Sequence, residues 1–159
     1  MHKGEITVVD EEYGEMTFQD LEGNMSLSNR ISLAISKKRV EVVFSVKSQF
    51  DRPSKMQREF LKIVVLEFDK ILDSIYRTLP KDLSSLTRQK FATDFQLWTI
   101  GVPLVEEGQK DWDMSFVSLE NGRMSLLVSM RNWEAISSFV DIDSRNWFTR
   151  AVLKILVGK

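Results

Sequence analysis

The chain has 159 residues, with 22 basic and 23 acidic side chains, a net charge of −1 and no cysteine. This balance gives no general attraction to nucleic acid or to an anionic membrane surface. The lack of cysteine excludes thiol catalysis and cysteine-bound metal, and the single histidine, His2, leaves no histidine for an internal catalytic or metal site.

The N-terminal part of the chain has the alternation of apolar and polar residues that is typical of strands. The run over 31–36 and the run over 40–47 meet at Lys37-Lys38-Arg39, a short basic connection. Because residues two apart share one face of a strand, each run has an apolar face and a polar face. The pattern predicts that the two runs pair as a hairpin.

The pattern changes to a helical period after Pro53. Ser54, followed three residues later by Gln57, matches a capping box. Apolar residues then recur on one side of a helical wheel until Pro80 ends the run. The spacing predicts one long helix over 55–79, and its wide apolar side must be covered by a sheet.

Strand patterning returns over 98–104 and continues over 112–130. The second of these segments contains Asn121-Gly122, a pair that favours a type I′ hairpin turn. Pro103 predicts an edge strand or a bulge, because proline cannot donate to the ladder. Residues 133–142 are predicted to add one more strand.

Ser144 is a candidate N-cap for a final helix over 144–157. Strands, a long helix, strands again and a short helix follow one another without a linker or a repeat. We therefore predict one α+β domain over 1–159. It consists of an antiparallel sheet of about 6–8 strands, the central helix over 55–79 and the C-terminal helix over 144–157.

Four residues of the second group of strands and the stretch that follows it are candidates for binding. Trp133 and Arg131 belong to the residue types that dominate interface hot spots, and they lie in a stretch without a clear period. Asp111 and Asp113 flank Trp112, so a strand would place both carboxylates on one face. Such a pair could hold a divalent cation or form a solvated strand end, and we expect no metal and no cofactor.

Two residues of the predicted long helix do not fit its amphipathic pattern. Leu66 projects from the middle of the polar side, where it is either a surface leucine or a contact to a second chain. Glu67 lies at the border of the apolar side. A buried Glu67 would be a candidate general acid, whereas a border glutamate would extend to solvent.

The segment FDRPSKMQREFLKIVVLEFDKILDSI, with its Pro53-Ser54-x-x-Gln57 helix start between two β segments, resembles a group of small bacterial proteins. The resemblance covers about residues 40–130. Some members of this group are similar to immunity proteins of polymorphic toxin systems. The resemblance implies a bacterial, cytoplasmic α+β protein that works by binding another protein.

The sequence thus favours a non-catalytic protein-binding module, such as an immunity or inhibitor protein that covers the active site of a toxin. A nuclease toxin would call for an acidic covering face, which turn residues Glu11, Glu12, Glu106, Glu107, Asp111 and Asp113 could supply. Two alternatives stay open: a carboxylate-dependent enzyme or small-ligand-binding protein, and a structural homodimer through Leu66. The lack of a signal peptide pattern and of a long apolar run predicts a cytoplasmic protein without a membrane span.

Overall fold

The computed structural model describes residues 5–142, which form one eight-stranded sheet and three α-helices. The helices are α1 (Lys55–Leu66), α2 (Phe68–Arg77) and α3 (Arg88–Asp94), and short 3-10 turns cover Lys81–Leu83 and Val105–Glu107. The strands are β1 (Ile6–Asp10), β2 (Gly14–Leu21), β3 (Asn24–Ile31), β4 (Val40–Val46), β5 (Phe95–Val102), β6 (Asp111–Ser118), β7 (Ser125–Arg131) and β8 (Glu134–Asp141).

The strands lie side by side in chain order from β1 to β8. Every neighbouring pair is antiparallel except β4 and β5, which run parallel. All three helices lie in the connection between these two strands, and this crossover returns the chain to the end of the sheet where β4 began. The predicted α+β class and the mostly antiparallel sheet are confirmed.

The prediction of one long central helix is wrong, because the helical segment is divided into α1 and α2 at Glu67. The backbone of Glu67 has φ −99° and ψ 16°, which departs from helical values. Its N–H still donates to Ile63 O at 2.8 Å, and its C=O accepts from Ile71 N–H at 3.0 Å. The apolar period therefore continues across a break that no proline or glycine marks. The predicted helix over 144–157 lies outside the described residues.

The main core lies between the helices and one face of the sheet. Alternate residues of the central strands, such as Phe44, Ile100 and Leu126, are completely buried on this face. The opposite face carries small residues in the middle of the sheet, including Thr99 and Ser115, whose hydroxyl oxygens lie 2.5 Å apart. The sheet is thus apolar towards the helices and rich in small polar residues on its other side.

Two local strand predictions differ from the structure. The strand that pairs with β4 is β3, which ends at Ile31, and residues 32–39 form the connecting loop. Leu33 and Ile35 instead pack against the core from this loop, so their alternation reflects burial and not strand pairing. The β6–β7 hairpin is present, but Gly122 does not have the positive φ of a type I′ turn, because the loop over 119–124 is longer than two residues.

Pro103 directly follows β5, which is a central strand and not an edge strand. The register shift of β5 lies instead between Leu97 and Thr99. At this shift Trp98 is only partly buried, and the guanidinium of Arg30 lies 4.2 Å from the centre of its ring. Trp98 therefore stacks on a cation and does not alternate into the helix-covered core.

Candidate protein-binding surface

The side of α1 that is turned away from the sheet carries three exposed apolar side chains beside the exposed charged residues Lys55, Glu59 and Lys62. Its buried side consists of Gln57, Phe60, Leu61 and Val64. On the solvent side, Leu66 is 81% exposed, Met56 51% and Ile63 39%. Leu66 follows Ile63 by three residues, so these two side chains are neighbours on the helix, and Met56 lies two turns before Ile63 on the same side.

Trp133 extends this apolar surface from the sheet. The connection between β7 and β8 has only two residues, Asn132 and Trp133, and Asn132 has a positive φ of 53°. This tight turn brings the Trp133 ring to 5.0 Å from the ring of Phe60 on α1. Trp133 nevertheless remains 36% exposed. We call Met56, Ile63, Leu66 and Trp133 the apolar strip.

Two buried aromatic contacts hold Trp133 in place. The Trp112 ring packs edge-on against Phe60 at 5.2 Å and lies 6.1 Å from Trp133. Trp112 Nε1 donates to the backbone oxygen of Asn132 at 2.5 Å, which ties the turn to β6. Because the ring is packed before any partner arrives, little side-chain entropy would be lost on binding.

The other predicted binding residues of this region lie on the adjoining strands. Arg131 donates two hydrogen bonds to Asp111, at 2.8 and 3.2 Å, across the β6–β7 pair. This interaction lowers the pKa of Asp111, and the same hydrogen bonds raise the pKa of Arg131. Asp113 lies two residues further along β6, opposite Ser129. The structure therefore brings Trp133, Arg131 and Asp111 to one end of the sheet, while Leu66 lies on α1.

A cleft of about 820 Å³ lies beside α1, between this helix and β2, β3 and the loop after β3. Leu61, Val65 and Leu66 form its helical wall. The cleft contains three cationic residues, Arg30, Arg39 and Lys62, and one carboxylate residue, Glu12, while the remaining lining residues are Tyr13, Gly14, Asn29, Ile31, Ser32 and Leu33. The cleft is thus apolar along α1 and mainly basic among its charged groups.

An ion-pair network fixes α1 to the turn between β1 and β2 at one end of this cleft. Arg58 donates to both carboxylate oxygens of Asp10, at 3.0 and 2.5 Å, and to Glu12 at 3.1 Å. The Asp10 side chain is only 3% exposed and also accepts from the N–H groups of Glu12 and Tyr13. The guanidinium lies 5.2 Å from the centre of the Tyr13 ring. We call Asp10, Glu12, Tyr13 and Arg58 the Arg58 network.

In the Arg58 network the pKa of Asp10 and the pKa of Tyr13 shift in opposite directions. The hydrogen bonds from Arg58 hold the pKa of Asp10 at about 2, below its ordinary value of 3.8. Burial, with a contribution from the nearby Glu12, raises the pKa of Tyr13 to about 12. At neutral pH the network therefore contains a charged Asp10–Arg58 pair and a neutral tyrosine.

We expect Asp10 to make folding stability depend on pH below about 4. Its folded-state pKa of about 2 is lower than the value of 3.8 expected for the unfolded chain. The carboxylate therefore contributes stability above pH 4, and this contribution is lost as the pH falls towards 2. The difference in pKa corresponds to about 2 kcal/mol. Urea unfolding of wild type and Asp10→Asn at pH 6, 4, 3 and 2 measures it.

The stability gap between wild type and Asp10→Asn should narrow by about 2 kcal/mol between pH 6 and pH 2. Asp20→Asn is the matched control. The Asp20 carboxylate lies in an exposed turn, and its only hydrogen bond among the described residues comes from the N–H of Gly23. A gap for Asp10→Asn that is constant with pH would show that the carboxylate charge contributes nothing. A gap for Asp20→Asn that narrows equally would show a general effect of acid.

Glu67 is not the buried carboxylate that a general acid would require. Its side chain is 41% exposed and pairs with Lys70 at 2.8 Å. Within residues 5–142, no group of three or more histidine, cysteine, aspartate or glutamate side chains has a geometry that could hold a metal ion. Residues 5–142 also include no helix that is both long and apolar enough to cross a membrane.

Sequence reasoning missed several residues of this surface. The helical period does not single out Met56 or Ile63, and both are exposed in the structure. Asp10 and Arg58 are 48 residues apart, and no local pattern connects them. The only available signal was Asp10 itself, since an aspartate directly before a turn often accepts from the N–H groups that follow it.

Comparison of the chain with protein-family models, with curated proteins and with solved structures gave no match.

Proposed function

We propose that this chain is a non-catalytic protein-binding module and that its partner protein docks on the apolar strip. The observation that carries the proposal is the exposure of Met56, Ile63, Leu66 and Trp133 on one helix face and the turn beside it. Clustered exposed apolar side chains are typical of interaction sites, whereas single ones need no explanation. Tryptophan is also among the residues that most often dominate binding energy.

The cleft beside α1 favours a partner segment that combines apolar and acidic side chains. Leu66 belongs to both the strip and the cleft, so one partner could contact the two without a gap. Glu12 pairs with Arg58, Arg30 with Glu41 at 3.5 Å, and Lys62 with Glu59 at 3.3 Å. Arg39 is therefore the one cation of the cleft without an ion pair among the described residues. Complementary charge at the rim of an interface mainly increases the association rate and selects the partner.

An immunity or inhibitor protein that covers a toxin is a narrower form of this proposal, and it depends on the resemblance of residues 40–130. The acidic turn residues give it limited support, because at least five of the six, Asp113 included, interact within the chain. Glu12 pairs with Arg58, Glu107 with Lys47 and Asp111 with Arg131, and Glu106 accepts from Ser54 at 3.1 Å. The basic cleft favours an acidic segment of the partner over a strongly basic active site.

Binding can be tested by affinity capture from lysate of the source cell, followed by titration calorimetry with the purified captured protein. We expect Trp133→Ala to weaken the binding of the captured protein at least about 30-fold. This factor corresponds to a loss of about 2 kcal/mol of binding free energy, the threshold for a hot-spot residue. Leu66→Lys should weaken it comparably, because a charge would replace an apolar contact. Leu66 is a surface residue, so this variant should keep its fold.

Leu119→Lys is the matched control, because Leu119 is 58% exposed but follows β6 at the opposite end of the strands from Trp133. Strand β6 is long enough to separate Leu119 from the Trp133 end of the sheet by about 20 Å. A captured protein that binds wild type, Leu66→Lys and Trp133→Ala equally would contradict the proposal. Sedimentation tests the homodimer: a wild-type dimer abolished by Leu66→Lys would assign the strip to a second copy instead.

A further inference from the structure

A second group of buried residues lies on the face of the sheet that is turned away from the helices. Val43 of β4 is 1% exposed and Leu127 of β7 is 3% exposed, yet neither belongs to the core between the helices and the sheet. Strand pairing and alternation place seven small buried residues on the same face. These are Ser26, Ser28, Ser45, Thr99, Gly101, Ser115 and Ser125. We call these nine residues the outer patch.

None of the described helices covers the outer patch, because α1, α2 and α3 all contribute to the core on the opposite face. The helices also reach both edges of the sheet. Arg58 of α1 binds Asp10 of β1, and Ser74 Oγ of α2 accepts from Ala135 N–H of β8. The sheet therefore does not fold over its outer side. Small side chains on such a face can be buried only under a further layer of protein.

Two polar atoms show that this cover extends to the end of the sheet where β5 begins. Gln96 Nε2 and Ser125 Oγ are buried without a hydrogen-bond partner in the described part of the chain. Gln96 lies opposite Val117, and Val117 lies opposite Ser125, so the two side chains share the outer face. Water would supply a partner to either atom if this face were open.

Residues 143–159 are the segment of the chain that can reach the outer patch. They follow β8, whose Asp141 lies opposite Ser125, whereas residues 1–4 are too few to cover five strands. The helix that the sequence predicts over 144–157 would be about 21 Å long. The outer patch extends from β3 to β7, which is four strand spacings or about 19 Å. The two lengths therefore match.

The residue types of the segment and of the outer patch are complementary. The apolar side of the predicted helix carries large side chains and one alanine: Trp147, Phe148, Ala151, Val152, Ile155 and Leu156. Large side chains pack well on a surface that has little bulk of its own, such as a row of serines. Gly101 adds to this, because a glycine within a strand often marks a place where another backbone approaches closely.

We propose that residues 143–159 dock as an amphipathic helix across the outer patch of their own chain, with the apolar side of the helix against the sheet. The sheet then lies between two helical layers, and both of its faces are buried. This contact is independent of the proposed partner surface, because the apolar strip lies on the other side of the sheet.

Thiol reactivity measures the cover directly, because the chain has no cysteine of its own. Ser26→Cys and Ser125→Cys place single thiols at the two ends of the outer patch. Val9→Cys is the exposed reference at 65% exposure, and Val128→Cys, buried under the helices, reports the integrity of the fold. We expect the two patch thiols to react with Ellman's reagent at least about 100-fold more slowly than the Val9→Cys thiol.

Substitutions in the segment test whether its apolar side supplies the cover. Ile155→Asp, at the centre of that side, should accelerate the reaction of both patch thiols at least about tenfold and leave Val128→Cys protected. Leu153→Asp is the matched control, because it makes the same change on the opposite side of the helical wheel. It should alter the rates less than about twofold. If Ile155→Asp unfolds the protein, Ile155→Ala adds no charge and should still accelerate both reactions roughly fivefold.

The proposal would be overturned by any of three results. Patch thiols as reactive as the Val9→Cys thiol would show that the outer face is open in solution. Equal effects of Ile155→Asp and Leu153→Asp would show that the apolar side of the segment does not face the sheet. Protection that disappears on dilution would assign the cover to a second copy of the chain.

Discussion

Replacement of Arg58 by alanine is expected to lower the free energy of unfolding by about 3–5 kcal/mol at pH 7. The reason is that Asp10 would remain buried as an anion after losing both of its hydrogen bonds from Arg58. Two N–H groups would still bind the carboxylate, but no cation among the described residues would pair with it. Arg58 also donates to Pro53 O at 3.1 Å, so α1 would lose a second contact near its start.

Urea unfolding monitored by tryptophan fluorescence measures this loss. Arg52→Ala is the matched control, because Arg52 also reaches the first strand, through a bond from its Nε to Val9 O at 3.1 Å, but is exposed. We expect this control to change stability by less than about 1 kcal/mol. Equal effects of the two substitutions would show that the Arg58 network adds nothing beyond ordinary surface contacts.

Replacement of Gln57 by leucine is expected to destabilise the protein by about 3 kcal/mol, although leucine has a similar size. Gln57 is 1% exposed, and its Nε2 donates to Ser45 O at 2.7 Å and to Pro103 O at 3.1 Å. The β4–β5 ladder ends at Phe44 and Val102. Pro103 has no N–H to extend it, and the amide of Gln57 supplies a donor at this position instead.

Gln57 also caps α1, and this contribution can be separated from the bridging one. Its Oε1 accepts from Ser54 N–H, and Ser54 Oγ accepts from Gln57 N–H. Ser54→Ala removes one capping bond and the exposed hydrogen bond from Ser54 to Glu106, and it should cost about 1 kcal/mol. Guanidinium unfolding of both variants gives the comparison. If Ser54→Ala and Gln57→Leu cost the same, the bonds to Ser45 and Pro103 contribute no stability.

The two roles of Gln57 show which contacts can be predicted from the sequence and which cannot. The spacing of Ser54 and Gln57 correctly predicts the start of α1, because a capping box involves only residues three apart. The bonds from Gln57 to β4 and to the residue after β5 join segments 12 and 46 residues away. Those contacts exist only once the crossover has placed the two strands side by side.

Local patterns determined the class of the fold, the mostly antiparallel sheet and the exposure of Leu66, since each follows from the period of apolar residues. They missed the division of the helix at Glu67, because no residue there breaks a helix and only the backbone angles change. They correctly placed a hairpin loop at Asn121-Gly122 but not its length, and they did not identify the two-residue turn Asn132-Trp133 at the candidate surface.

The sequence by itself determined the order of strand regions and the main helical region, and it showed that Trp133 and Leu66 do not fit a simple core pattern. Only the tertiary structure decided that Trp133 packs on Phe60 and that Arg58 reaches Asp10. The physical reason is the range of the forces involved. Periodicity and capping act between residues a few positions apart, whereas surfaces and cavities form from side chains that the fold brings together from distant parts of the chain.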